Sequence, residues 1–300
     1  MGTKLRKYAD GHGLWSMLLN VGRVLKGYQP IFLDYAVEAK PRYGYGKPPH
    51  PEISAVLEEG IPQYAQLLQQ FLTYSDELKQ IAKDSDLSSR EPNWLNQWFR
   101  GIDIVALYCF VAQSAPQNYI EVGSGQTTKI VRRAINAHKL TTKITSIDPH
   151  PRAEIDSLCD EVRRQKLEDC DLGSFDTLQA GDIFVFDGSH RTFMNSDVTV
   201  FFLEILPRLA PGVLVHIHDI FLPDDYVPWW KQEYYPHRYW SEQYVLAASL
   251  LAGHRNYEVV LPNHFVGCDT RISNSLDSLW NSPELQGVPR DGSSFWMRTR

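Results

Sequence analysis

A chain of 300 residues exceeds what one minimal core needs and falls short of three ordinary domains, so one large domain, or one with an extension, is expected. Apolar residues at 43%, aromatics at 12% and charged residues at 22% exclude disorder, collagen and coiled coil. With 30 Lys plus Arg against 36 Asp plus Glu, a net charge of -6 and no basic stripe, nucleic acid is not an expected partner.

Met1 to Gly13 lacks an apolar signal core, so a mature chain starting near Met1 is expected. An apolar segment, Leu14 to Leu25, precedes a Pro, Gly and Tyr-rich stretch from Pro41 to His50 that cannot be regular helix. Helical spacing follows at Ile53, Val56 and Leu57, at Tyr64, Leu67, Leu68, Phe71 and Leu72, and from Asp103 through Val111. Residues 1–115 therefore read as a helical N-terminal extension. Ile104 to Ala112, the longest strictly apolar run, is far shorter than the roughly 20 residues that cross a bilayer, so no membrane partner is expected.

After Pro116 short apolar runs alternate with helical segments, the rhythm of a parallel sheet, and residues 116–300 read as the second domain. Strands are expected at Tyr119 to Val122, Lys143 to Ile147, Asp182 to Phe186, Val213 to Ile217, Tyr257 to Leu261 and Ser294 to Arg298. Helices are expected at Thr127 to His138, Ala153 to Lys166, Asp197 to Leu206 and Glu242 to Leu251. The pairs Arg132-Arg133 and Arg163-Arg164 read as solvated helix faces. Cys109, Cys159, Cys170 and Cys268 form no C-x-x-C pair, which fits a cytoplasmic chain better than a disulfide framework or a zinc ribbon.

Chemistry gathers at the strand ends. The first closes in Glu121-Val122-Gly123-Ser124-Gly125-Gln126-Thr127-Thr128, where two glycines at a strand-to-helix turn let a ligand approach the backbone and the helix N–H groups. A dinucleotide fingerprint wants Gly or Ala three residues after Gly125, and Thr128 stands there instead. The second strand ends at Asp148, which can accept both hydroxyls of a ribose, although a strand-end Asp also serves as a helix cap. D-I-F-V-F-D-G-S-H delivers Asp187, Ser189 and His190 to the same edge, and V-L-V-H-I-H-D-I-F delivers His218 and Asp219. His216, inside the apolar run, reads as a hydrogen-bonded core histidine. The aromatic run from Tyr226 to Tyr244 is placed to wall a pocket, and Phe221 to Tyr239 to act as a lid, with Asp224 and Asp225 read as solvated loop charges.

Taken together, the E-V-G-S-G, S-I-D-P, D-G-S-H and H-I-H-D-I-F-L-P motifs resemble those of the class I S-adenosylmethionine-dependent methyltransferases, over about Tyr119 to Arg300. Weaker similarity through P-R-Y-G-Y-G-K-P-P-H and N-W-L-N-Q-W extends toward the N terminus. The resemblance implies an α/β, doubly wound, seven-stranded and mostly parallel Rossmann-like sheet with an antiparallel last strand. It implies methyl transfer from S-adenosylmethionine to a small-molecule acceptor, an oxygen in the favoured reading. Cofactor contacts are expected from Glu121, Gly123, Ser124, Gly125, Thr127, Asp148, Asp187 and Ser189, and catalysis from His218, His190 and Asp219. Metal-dependent O-methyltransferases, also similar, carry an acidic pair after the fifth strand. Here Asp187, His218 and Asp219 form a set able to bind a divalent metal, or a histidine acts as a metal-free base. A NAD or nucleotide-sugar enzyme, and a non-catalytic nucleotide-binding module, are the alternatives. A homo-oligomer is compatible with all three.

Overall fold

The computed structural model describes residues 21–27, 29, 31, 40–86, 88–151, 153–227, 239–253 and 256–300. Contacts divide the chain into two units, residues 1–40 and 41–300. In the first unit, residues 21–25 are helical. Most of the apolar segment expected from Leu14 lies outside the described residues, as does most of the expected lid.

The second unit is built on a seven-stranded sheet of order β3-β2-β1-β4-β5-β7-β6. The strands are β1 (Asn118–Val122), β2 (Lys143–Ile147), β3 (Glu161–Arg163), β4 (Ile183–Phe186), β5 (Leu214–Ile217), β6 (Tyr257–Pro262) and β7 (Phe295–Thr299). β1 to β5 pair in parallel, and β7 runs antiparallel between β5 and β6. Every side chain of β4 and β5 is buried, because helices cover both faces of a parallel sheet. The chain winds outward from β1 in one direction and from β4 in the other, so the carboxyl ends of β1 and β4 flank the switch point where open α/β sheets bind ligands.

Among the described residues of the second unit, four α-helices precede the sheet: α1 (Pro51–Glu58), α2 (Ile61–Phe71), α3 (Ser75–Lys79) and α4 (Ile102–Ser114). α4 starts at Gly101, whose φ of 57° favours glycine, and nearly all its side chains from Ile102 to Val111 are buried. An all-round apolar helix needs cover on every side. α4 finds it against α2, against α5 (Gln126–His138) and against α8 (Asn263–Cys268). The expected boundary at residue 115 is therefore no break in packing: residues from α1 to α4 and from the sheet belong to one core. α5 is amphipathic, burying Thr127, Thr128, Ile130, Val131, Ala134 and Ile135.

Two expected helices differ. Ala153 to Lys166 forms only a 3-10 turn, Asp156–Leu158, and then β3. Its buried residues follow no helical stripe, and the stretch instead adds an edge strand to β2. Arg163 and Arg164 thus stand on a strand and its end, not on a helix face. The segment expected as a helix from Asp197 to Leu206 starts as α6 (Asp197–Val200), loosens into a π turn over Phe201–Ile205 and ends in a 3-10 turn over Leu206–Arg208, where Pro207 cannot donate to an α ladder. α7 (Glu242–Leu251) and α9 (Asp277–Trp280) complete the helices described here. Among the described residues no helix is long and apolar enough to cross a membrane.

Candidate active site

The turn after β1 is built around Glu121. Its carboxylate is wholly buried and accepts hydrogen bonds from Thr127 Oγ1 at 2.8 Å, Tyr119 OH at 3.0 Å and Thr128 Oγ1. Burial raises its pKa to about 7 against the pull of these hydroxyls. Thr128 Oγ1 also accepts from the Gly125 N–H at 3.1 Å, so the residue that breaks the dinucleotide fingerprint caps the helix instead. At Gly123, with φ of 79°, a Cβ would stand 2.0 Å from the Asp187 carbonyl oxygen. Only glycine fits there. A Cβ at Gly125 would meet nothing within 4 Å, which leaves that side of the turn open beside the first N–H groups of α5.

Asp148 comes to the same turn. Its Oδ2 accepts from the Ser124 N–H at 2.9 Å and its Oδ1 from the His150 N–H at 2.8 Å. Ser124 Oγ meets Ser146 Oγ at 2.6 Å, and Arg164 donates to the Asp148 carbonyl at 3.0 Å. The structure thus brings Glu121, Gly123, Ser124, Gly125, Thr127 and Asp148 together. Ser189 points elsewhere: its N–H and hydroxyl both donate to Asp197 at 2.6 Å.

The ends of β4 and β5 form a second group beside the first. His190 Nε2 lies 3.4 Å from Asp187 Oδ1 and 3.6 Å from Asp219 Oδ2. His218 Nδ1 faces the same oxygens at 3.6 and 3.8 Å. Behind them, Glu242 sits 2.7 Å from His190 Nδ1 and Asp103 lies 3.6 Å from His218 Nε2. Burial opposes the charge on both rings, but the carboxylates outweigh it, raising His190 to about 9 and His218 well above the ordinary imidazole range. Burial would likewise keep Asp187 protonated, yet the two imidazolium rings hold it well below the usual carboxylate range. His190 and Asp219 adopt φ of 61° and 58°, a left-handed conformation that side chains other than glycine rarely take, and such residues cluster at functional sites.

Residues 120–220 match a family model described as a methyltransferase domain. Similar solved structures include an O-methyltransferase from Bacillus cereus in complex with SAH, at 12% identity over 78% of this chain and 90% of that one, with a TM-score of 0.39. The O-methyltransferase TomG from Streptomyces achromogenes, in complex with SAM, is 13% identical over 65% and 77%, with a TM-score of 0.38. The SAH-bound methyltransferase PaMTH1 from Podospora anserina is 14% identical over 66% and 77%, with a TM-score of 0.39. No curated protein matches the chain.

Three polar residues of this candidate site escape a strand-end reading of the sequence: Asp103, Glu242 and Ser293, whose hydroxyl donates to Asp219 at 3.2 Å. Asp103 opens an otherwise apolar helix, and Glu242 opens α7 directly after the aromatic run. A carboxylate within a buried run must find a partner, which is the one signal that marks them. His216 is the core histidine expected, with Nε2 2.7 Å from Ser294 Oγ. Asp224 and Asp225 are partly buried and hydrogen-bonded rather than free loop charges. Asp224 accepts from His264 at 3.1 Å. Asp225 accepts from the N–H groups of Arg42 and Tyr43 at 2.6 and 3.0 Å and from Tyr244 OH at 2.9 Å, because the 41–50 stretch folds back onto the segment after β5. Arg132 and Arg133 are paired with Asp160 and Glu91 rather than free in solvent.

Proposed function

We propose that this protein moves a methyl group from S-adenosylmethionine to an oxygen of a small-molecule acceptor. The observation that carries this reading is the meeting of two groups at one sheet edge. The glycine turn with Asp148 lies on one side of the switch point and the imidazole–carboxylate group on the other, with Gly123 packed against the Asp187 backbone. In this reading Glu121 holds the turn through its hydroxyl partners and does not itself touch the cofactor. Ser124, Gly125 and Thr127 line the turn. Asp148, each of whose oxygens keeps a free lone pair, accepts the ribose hydroxyls. Ser189 shapes the wall through Asp197. Cytoplasmic action fits four thiols that are all free.

The sulfonium methyl is already electrophilic, so the protein has to align an in-line attack, exclude water and assist loss of the acceptor proton. His190, His218 and Asp219 stand at the edge where that proton would leave. Asp187, His218 and Asp219 also fit a divalent cation, since one ligand atom from each lies within 4.8 Å of the others. Such a cation, when bound, lowers the pKa of a coordinated hydroxyl.

Calorimetry with S-adenosylhomocysteine tests the cofactor half. The wild type is expected to bind, and Asp148→Ala to weaken binding by about 1.5–3 kcal/mol, the range for hydrogen bonds to a charged group. A wild type that does not bind, or a variant of unchanged affinity, removes Asp148 as the ribose contact. Transfer of a labelled methyl group to an oxygen nucleophile tests the other half.

A further inference from the structure

Lys129, the fourth residue of α5, is only 2% exposed. Lysines are almost never buried unless paired. Among the described residues, however, no hydrogen bond or ion pair reaches its ammonium, and burial alone pulls the group below its usual pKa range. Its neighbours on the same helix face are matched instead, Arg132 with Asp160 at 2.8 Å and Arg133 with Glu91 at 2.9 Å. The uncompensated charge is therefore confined to Lys129.

A long helical side chain leans over the turn N-terminal to its own Cα, so Lys129 reaches toward the opening of α5. There the N–H groups of Gln126 and Thr127 have no carbonyl to bond within the helix, and no other backbone carbonyl takes them. The first turn of a helix favours negative charge. Gln126 stands three residues before Lys129, which makes the two neighbours on the helix surface, and its Oε1 is buried with no hydrogen-bond partner. A cation and an acceptor, both buried and both unmatched, thus lie side by side next to the open face of Gly125. Their desolvation is offset only by a ligand that brings an anion for one and a donor for the other. A carboxylate and an ammonium on one carbon supply both.

We propose that Lys129, Gln126 and the opening N–H groups of α5 form a subsite for an α-amino-acid group, its carboxylate on Lys129 and the N–H groups and its ammonium on Gln126 Oε1. That group belongs either to the amino-acid end of the cofactor or to an amino-acid acceptor. Only the choice between these two sources rests on the methyl-transfer reading; the demand for an anion beside Lys129 does not.

The test titrates the full chain by calorimetry with S-adenosylhomocysteine, its decarboxylated analogue and its deaminated analogue. The wild type is expected to bind the decarboxylated analogue about 10–100-fold more weakly than S-adenosylhomocysteine, and Lys129→Met to bind these two alike. Gln126→Leu should erase the preference over the deaminated analogue in the same way. Without ligand, Lys129→Met is expected to melt no lower than the wild type, because a buried ammonium with no partner costs stability. A variant that melts lower and keeps the wild-type preference would show that Lys129 serves the fold, and overturns the subsite. If the wild type binds S-adenosylhomocysteine and the decarboxylated analogue equally, L-tyrosine is titrated into the S-adenosylhomocysteine complex. Binding that Lys129→Met weakens at least about 10-fold assigns the subsite to the acceptor. No such binding overturns the subsite and leaves the methyl-transfer reading standing. A wild type that binds L-tyrosine through Lys129 but none of the three nucleosides keeps the subsite and removes that reading, and one that binds neither removes both.

Discussion

His216 and His218 lie two residues apart at the end of one strand and titrate in opposite directions. Burial and the neighbouring His218 charge lower His216 to about 3, so it is neutral, whereas His218 faces Asp219 and Asp187 and is held charged. Residue type alone cannot separate the two; their partners do. His264 makes the point away from the site. Burial opposes its charge, but hydrogen bonds to Asp224 and Cys268 raise it to about 9. A histidine raised above its unfolded value of about 6.5 contributes stability that is fully present below pH 6.5 and is lost as the pH climbs through 9. His264→Gln is therefore expected to be less stable than the wild type at pH 6, by on the order of 2–3 kcal/mol, and to converge with it above pH 9. Denaturant unfolding of both proteins across that range measures this. A constant difference would mean that the ring packs there without its charge mattering.

At the scale of elements, local pattern and tertiary demand disagree in instructive places. β3 occupies part of a stretch that reads as a helix, because β2 needs a neighbour more than residues 153–166 need a helical ladder, and three residues suffice to pair. The 41–50 stretch reads correctly as irregular, yet its shape is set by residues some 180 positions away. A Cβ at Gly44 would collide with Asp224, His50 donates to the Pro223 carbonyl at 3.0 Å, and Asp225 caps two of the backbone N–H groups. Asp225→Ala leaves those donors unpaired and should cost about 1–3 kcal/mol. Hydrogen exchange is expected to speed up at Arg42 and Tyr43 while the amides of β4 and β5 stay protected. Unchanged exchange at residues 42 and 43 would show that the stretch holds its shape without the carboxylate.

On the scale of the whole molecule, the helices before the sheet complete its core and its candidate site. α4 buries an almost continuous apolar surface and at the same time carries Asp103 to the back of His218. A chain beginning at residue 116 would expose the surfaces that α2 and α4 cover and would lose that carboxylate. It is expected to aggregate or to show the dye binding and lost near-ultraviolet dichroism of a molten state, whereas a chain beginning at residue 41 should unfold cooperatively. A cooperative, cofactor-binding chain from residue 116 would make the extension dispensable. The strand rhythm after Pro116, the glycine turn, Asp148 and the D-G-S-H and H-D strand ends are legible in the sequence because each is local: a buried parallel strand must be continuously apolar, and the ligand-facing residue must follow at its end. Asp103, Glu242 and Ser293 are not legible in that way, since they reach the site from 115, 52 and 74 positions away from their partners His218, His190 and Asp219 respectively. No spacing rule connects residues that only chain crossing brings together. By itself the sequence determined six of the seven strands, the turn and the identity of the strand-end groups. The tertiary structure alone decided which buried carboxylate stands behind which imidazole, because the protonation and ligand capacity of a buried ring depend on the charges packed against it.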